Sequence, residues 1–101
     1  MTTEFTAVGM RFVESVPGDN ARVLLDLSTV LLLPEPWNKH DPNAVLVCNP
    51  LDGRPLAHVS RETLVALPPL PSNGMKLSVF SSFKREKAVI FQCVTPQRLI
   101  D

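Results

Sequence analysis

The residues of this chain that could take part in chemistry are concentrated in one polar segment, residues 35–43, with the sequence EPWNKHDPN. The apolar run VLLL precedes the segment and the run AVLV follows it. A polar segment between two strand-like runs either forms a self-hydrogen-bonded turn or presents its groups to a ligand. We therefore take this segment as the first candidate for a functional site.

His40, Asp41 and the distant His58 have side chains suited to metal binding or acid–base catalysis. A zinc site needs three or four ligands at fixed spacing, and two histidines without a CxxC or HxxxH motif do not supply them. No serine lies in a GxSxG turn, and neither cysteine stands beside a predicted cationic cluster, so nucleophilic catalysis is not indicated. Acid–base catalysis by the two histidines is the weakest alternative. We expect no metal, no cofactor and no enzymatic activity.

Trp37 is the only tryptophan, and the chain has no tyrosine. A single large aromatic side chain on a polar loop usually folds back onto the core. The alternative is a stacking surface for a nucleobase, which is worth ~1–3 kcal/mol. Lys39, Arg11 and Lys76 are candidates for phosphate contacts, although each of them alone is commonly a solvated charge.

The tripeptide Asp41-Pro42-Asn43 also has a purely structural interpretation. An Asx side chain just before a proline commonly caps a turn, and asparagine tolerates left-handed backbone geometry. We expect Asn43, which leads into an apolar run, to be chiefly structural.

The composition is that of an ordinary globular domain. The 101 residues are 45% hydrophobic and 20% charged, which fits one domain over residues 1–101. Ten basic and ten acidic residues cancel, so strong non-specific attraction to a polyanion is not expected. No apolar run approaches the ~20 residues that span a bilayer, and the polar start MTTEF does not resemble a signal peptide. We expect a cytoplasmic protein without a membrane partner, nucleoid-associated if bacterial and nuclear if eukaryotic.

Cys48 and Cys93 lie within apolar, strand-like runs and have no closely spaced partner. Two reduced, buried thiols are the favoured interpretation. A cross-strand disulfide is the alternative.

Apolar patterning and turn residues predict that strands hold the polar segment in place. Six strands are predicted, at residues 4–14, 21–33, 44–49, 54–59, 75–83 and 87–94. Turns or loops are predicted between them, at residues 16–20, 49–53, 70–74 and 84–87. Gly9 marks a bulge or a close backbone approach in the first strand, and Asp52-Gly53 is a strong hairpin signal.

Residues 21–33 combine two sequence patterns. Val23, Leu25 and Leu27 alternate with Asp26 and Ser28, and an uninterrupted apolar run follows Thr29. We predict a strand with a break near these two residues, and a helix is the alternative.

One or two short helices complete the prediction. Ser60 is a candidate N-cap for a helix over residues 61–67, which Pro68-Pro69 would end. Thr95-Pro96 could open a second helix. Without long crossover helices the chain cannot form a parallel βαβ fold, so we predict a mainly β protein, either a small, partly open barrel or a two-sheet sandwich.

Three stretches, VGMRF at 8–12, PEPWNKHDPNAVLV at 34–47 and LAHVSRE at 56–62, together resemble a known family. This family is the HIRAN domain, the N-terminal DNA-binding domain of the helicase-like transcription factor and its yeast relatives, found also in small bacterial proteins. Its hallmark run is EP-x-N-x-x-D-x-N-A-V. The resemblance covers residues 5–67 well and the last third by strand pattern alone.

The resemblance implies a small six-stranded OB-like or SH3-like β-barrel with one or two short helices, which binds single-stranded DNA by its free 3′ end. Arg11 and Phe12 would form an arginine–aromatic pair beside the DNA, with Phe12 stacked on a terminal base. Asn38, His40 and Asp41 would form the pocket for the last nucleotide, where Asp41 accepts a hydrogen bond from the 3′ hydroxyl. In that arrangement His58 would lie near the phosphates.

Four positions depart from the family pattern. Phe12 and His40 stand where the DNA-binding members carry tyrosines, which removes two phenolic hydroxyls and keeps the flat rings. Ala57 replaces the usual glycine, and Trp37 replaces a small polar residue.

Two hypotheses of function follow. The first is a monomeric, non-catalytic module for single-stranded DNA ends in DNA repair or replication-fork processing, accompanied by a helicase or nuclease domain. Its binding residues would be Arg11, Phe12, Asn38, Lys39, His40, Asp41 and His58, with Trp37 as a further stacking residue. The second is a protein-interaction or accessory barrel that has lost DNA binding, which the missing tyrosines and the absent net positive charge favour.

Overall fold

The computed structural model describes residues 2–9, 19–64 and 70–94, and within them it contains six strands and two helices. In chain order these are β1 (Thr2–Val8), α1 (Asp19–Asp26), β2 (Thr29–Pro34), β3 (Val45–Cys48), β4 (Pro55–Val59), α2 (Arg61–Leu64), β5 (Met75–Arg85) and β6 (Ala88–Val94). The strands form a closed barrel in the order β1-β4-β3-β2-β5-β6, and all neighbouring strands are antiparallel. The predicted six-stranded, mainly β barrel is confirmed. The barrel is closed and not partly open as expected, and the sandwich alternative is wrong.

The barrel interior is filled by the inward side chains of every strand. Leu32, Val47 and Ala57 are cross-strand neighbours on three adjacent strands, and none of them is exposed. On the other side, Phe5 and Phe91 are paired in register, and their rings stack with centroids 5.0 Å apart. Alternating side chains place one face of each strand inside, so the outward residues are left to shape the surface.

Helix α1 corrects the predicted strand over residues 21–33. Residues 21–26 are helical, and the inward-facing residues Asn20, Val23 and Leu24 lie at the i, i+3, i+4 spacing of one helix face. Leu24 is fully buried in the core cluster, and the Asn20 side-chain amide donates to the Leu56 carbonyl at 3.1 Å. The helix alternative is therefore correct for residues 21–26. Strand β2 begins at Thr29, at the predicted break.

Other boundaries also differ from the prediction. β1 ends at Val8, and Gly9 takes a left-handed φ of 69° after it. Asp19 and Asn20, predicted in a turn, form the first turn of α1. The remaining predictions for residues 10–18, 65–69 and 95–101, including the end of the helix after Ser60 and the helix from Thr95, lie outside the described residues.

Both predicted hairpins are present. In the β3–β4 turn the Gly53 N–H donates to the Asn49 carbonyl at 2.7 Å, and Asp52 Oδ1 accepts from the Arg54 N–H at 2.9 Å. The β5–β6 turn is tighter than predicted, with Glu86 at a φ of 53° and the strands reaching Arg85 and Ala88.

None of the described helices has the length and apolar character required to cross a membrane.

Gly74, in the loop before β5, generates a stability prediction. Its φ is 90°, and an added Cβ would lie 2.8 Å from the Leu32 carbonyl oxygen. We expect Gly74→Ala to lower the free energy of unfolding by about 1–3 kcal/mol, from strain and displaced backbone. Gly53→Ala is the matched control, because Gly53 also has a positive φ but no atom within 4 Å of the added Cβ. Urea denaturation of both variants measures the difference, and equal losses would contradict the steric cause.

Cys48 and Cys93 are both free and fully buried, as the favoured interpretation predicted. Burial raises the pKa of each thiol from 9.0 to about 11, and the Glu35 carboxylate adds to the rise at Cys48. Both thiols therefore stay protonated near neutral pH.

We expect neither thiol to react readily with a thiol reagent at about pH 8 until the protein is unfolded in denaturant. The raised pKa values also mean that the folded state keeps protons which the unfolded state loses. Stability should accordingly fall as the pH rises from about 9 to about 11, and a series of denaturation midpoints would show it. Rapid labelling of the native protein would contradict this burial.

Candidate functional site

The loop between β2 and β3, residues 35–44, is organised from within by Asn38. The Asn38 Oδ1 accepts hydrogen bonds from the backbone N–H groups of His40 at 2.8 Å and of Asp41 at 3.1 Å. The Asn38 Nδ2 donates to Glu35 Oε1 at 2.7 Å. A single amide side chain thus fixes the backbone that carries the candidate residues His40 and Asp41.

Asp41 closes the second half of this loop. Its Oδ1 accepts from the Asn43 N–H at 2.9 Å, and its carbonyl accepts from the Ala44 N–H at 3.0 Å. This is the Asx turn that the Asp-Pro-Asn sequence predicts. No described residue donates to the second carboxylate oxygen, Oδ2, so Asp41 keeps one acceptor for another donor.

Glu35 connects the loop to the barrel wall. Its Oε1 lies 3.1 Å from Nε2 of His58 on β4, and both side chains are largely buried, with 17% and 27% of their surfaces exposed. Because a carboxylate only accepts, Nε2 must carry the hydrogen of this bond. Glu35 was not among the predicted site residues. The signal that could have identified it was its place in the EP pair of the hallmark run.

Trp37, Lys39 and His40 are exposed on the same loop. Of the two alternatives for Trp37, folding back onto the core does not occur, since 67% of its surface is accessible. An exposed indole and an exposed imidazole offer flat surfaces next to a lysine, which is a composition suited to bases and phosphates.

The structure brings the loop and His58 together, although 23 positions separate Glu35 from His58. Arg11 and Phe12 lie outside the described residues. The strand that leads to them, β1, ends at Val8, which pairs with His58. Lys76 is exposed on the neighbouring strand β5, opposite Leu31 of β2.

Across residues 2–9, 19–64 and 70–94, no three His, Cys, Asp or Glu side chains are grouped as metal ligands would be.

Asn38 generates a prediction about the loop. We expect Asn38→Ala to lower the free energy of unfolding by about 1–2 kcal/mol, because two backbone donors lose their acceptor. Amide exchange of His40 and Asp41 should accelerate by more than that of strand residues. Asn43→Ala is the matched control, since the Asn43 side chain is exposed in the same loop. Unchanged exchange at His40 and Asp41 would rule out the organising role of Asn38.

One of three comparisons with known proteins identifies a family for this chain. Searches of curated proteins and of solved structures found no significant match. The model of one family, described as the HIRAN domain, matches residues 1–94, which is nearly the whole chain. The chain therefore belongs to the HIRAN domain family, a family of nucleic-acid-binding modules.

Proposed function

We propose that this chain is a non-catalytic module that binds single-stranded DNA at a free 3′ end, with the β2–β3 loop as the wall of the terminal pocket. The observation that carries the proposal is the state of Asp41. One of its carboxylate oxygens is used by the Asx turn, and the other accepts from no described residue. Membership of the HIRAN family is the reason to propose a nucleic acid as the ligand. The free carboxylate oxygen of Asp41 is the reason to propose a preference for a 3′ end.

A carboxylate discriminates between a terminal hydroxyl and a continuing strand by charge. A hydroxyl donates to a carboxylate in a short, charge-assisted hydrogen bond. A phosphodiester at the same position has no proton to donate and repels the carboxylate. The Asp41 N–H donates to Asn38 Oδ1, and Asp41 Oδ1 accepts from the Asn43 N–H. These bonds hold Asp41 in place before the ligand arrives, so less ordering free energy is spent on binding.

The exposed residues of the loop suit the rest of a terminal nucleotide. Trp37 and His40 offer flat faces for a base, and Lys39 offers a cation for a phosphate. Arg11 and Phe12 are proposed to join them as an arginine–aromatic pair. The Nε2 of His58 is held by Glu35, so a phosphate contact from this ring falls to Nδ1.

The setting we propose is DNA repair or replication-fork processing, with a helicase or nuclease domain supplying the catalysis. Neutral overall charge is compatible with this role, because an end-binding site engages few phosphates. For single strands, a plot of the logarithm of affinity against the logarithm of salt concentration has a slope of about −0.7 per neutralised phosphate. The salt dependence of binding at the terminal site should therefore be shallow.

A second candidate function is protein interaction. An exposed tryptophan on a rigid loop is also a common anchor in protein interfaces, and Trp37 is 67% exposed. This candidate predicts no response of Trp37 fluorescence to short single strands.

We expect wild-type protein to bind an oligonucleotide with a 3′ hydroxyl more tightly than the same oligonucleotide with a 3′ phosphate, measured by quenching of Trp37 fluorescence. Asp41→Asn keeps an acceptor for the Asx turn but removes the charge, so it should abolish this preference. Its affinity for the 3′-hydroxyl strand should fall roughly tenfold or more, since a hydrogen bond to a charged group contributes ~1.5–3 kcal/mol.

Asp52→Asn is the matched control, because Asp52 accepts an equivalent bond from Arg54 N–H in the β3–β4 turn. Its affinity and preference should equal those of the wild type. Equal wild-type affinity for the two kinds of 3′ end would refute the end-reading role. Absence of binding to either oligonucleotide would favour the protein-interaction function.

A further inference from the structure

The charges of this neutral chain are unevenly distributed over the barrel. The β5–β6 hairpin, residues 75–94, carries four cations and one carboxylate, a net charge of +3. All five charged side chains are exposed, and they are Lys76, Lys84, Arg85, Glu86 and Lys87. A local basic surface of this kind attracts a polyanion even though the whole chain has no net charge.

Two phenylalanines stand out on the same hairpin. Phe5 and Phe91 are fully buried, whereas Phe80 and Phe83 have 56% and 44% of their surfaces exposed. A register shift between Val79 and Ser81 places Phe80 at an irregularity in β5. Neither ring belongs to the core cluster of the described residues, so both are available to a ligand.

The barrel register connects this hairpin to the loop site. Arg85 pairs with Ala88, and Ala7 pairs with Val89, so Ala88 lies beside Val8 by continuation of the register. Val8 in turn pairs with His58. Arg85 and His58 thus occupy one row across four strands, which at the usual strand spacing is about 14 Å.

We infer that the outer face of the β5–β6 hairpin is a second contact surface for single-stranded DNA, and that it holds the nucleotides leading away from the terminal pocket. This inference rests on the proposed function and extends it. Phe83 and Arg85 pair with Ile90 and Ala88, on the face of the hairpin opposite to the buried Val89. Phe80 and Phe83 stack on bases, and Arg85 and Lys87 contact phosphates. We call these four residues the hairpin surface.

The number of nucleotides that an OB-like barrel usually binds supports this assignment. Barrels of this kind engage about 4–16 nucleotides of a single strand, whereas a pocket for a 3′ end encloses only the last one or two. The next nucleotides must cross the barrel surface, and the row from His58 to Arg85 leads from the loop to the basic end of the hairpin. Aromatic rings interleaved with cations are the surface that a single strand selects, since stacking tolerates any base sequence.

The test compares two lengths of oligothymidine with a free 3′ hydroxyl, one of three nucleotides and one of about twelve. The first variant is Phe80→Ala with Phe83→Ala, and the second is Arg85→Gln with Lys87→Gln. Each should weaken binding of the longer strand roughly fivefold or more and change the affinity for the trinucleotide by less than about twofold. The charge variant should also make the salt slope for the longer strand shallower by about 1.4.

Leu51→Ala with Arg54→Gln is the control, because both residues are exposed in the β3–β4 turn, outside the hairpin surface. It should leave both affinities at the wild-type values. Urea denaturation verifies that each variant is folded, and the charge variant replaces no side chain that is buried.

The two proposals fail in different ways. If the hairpin variants leave the affinity for the longer strand unchanged while Asp41→Asn abolishes the 3′-hydroxyl preference, the hairpin surface is overturned and the terminal pocket stands. If the hairpin variants weaken long-strand binding but the wild type shows no 3′ preference, the hairpin surface stands without the pocket. A hairpin surface built for a protein partner would leave every DNA affinity unchanged, which also overturns the inference.

Discussion

The candidate site depends on the hydrogen bonds that the Glu35 carboxylate accepts. This carboxylate accepts from Asn38 within the loop at 2.7 Å and from His58 on the barrel at 3.1 Å. One carboxylate oxygen therefore connects the β2–β3 loop to strand β4 of the barrel. Because Asn38 also accepts from the backbone N–H groups of His40 and Asp41, the orientation of this part of the β2–β3 loop is fixed relative to β4. A loop that is ordered before binding spends less conformational entropy on its ligand.

Closure of the barrel determines how the β2–β3 loop and the β5–β6 hairpin are placed relative to each other. Closure between β1 and β6 removes open strand edges, and it sets a single register around the molecule. That register places His58, Val8 and Arg85 in one row, so a loop and a hairpin that are remote in sequence share one end of the barrel. The difference between core and surface follows from side-chain alternation along the strands. Most apolar residues point inward, whereas Phe80 and Phe83 are exposed.

Local hydrogen bonding explains why some features could be predicted from the sequence. The turns at Asp41 and Asp52 form because an Asx side chain bonds to the backbone two residues later, which requires no tertiary contact. The strand over residues 21–33 failed for the opposite reason. Its apolar residues satisfy both helical and alternating patterns, and the choice was made by the docking of Leu24 in the core and of Asn20 on the Leu56 carbonyl.

The sequence by itself determined the β-rich fold, both hairpins, the buried thiols and the family, since alternation, turn residues and a long ordered motif are all local in the chain. It also located the candidate loop. Only the tertiary structure decided that Trp37 is exposed and that Glu35 meets His58, because exposure and contact depend on which strands become neighbours. The same holds for the basic hairpin with exposed Phe80 and Phe83. Net charge averages over the chain, and only the folded barrel separates the charges in space.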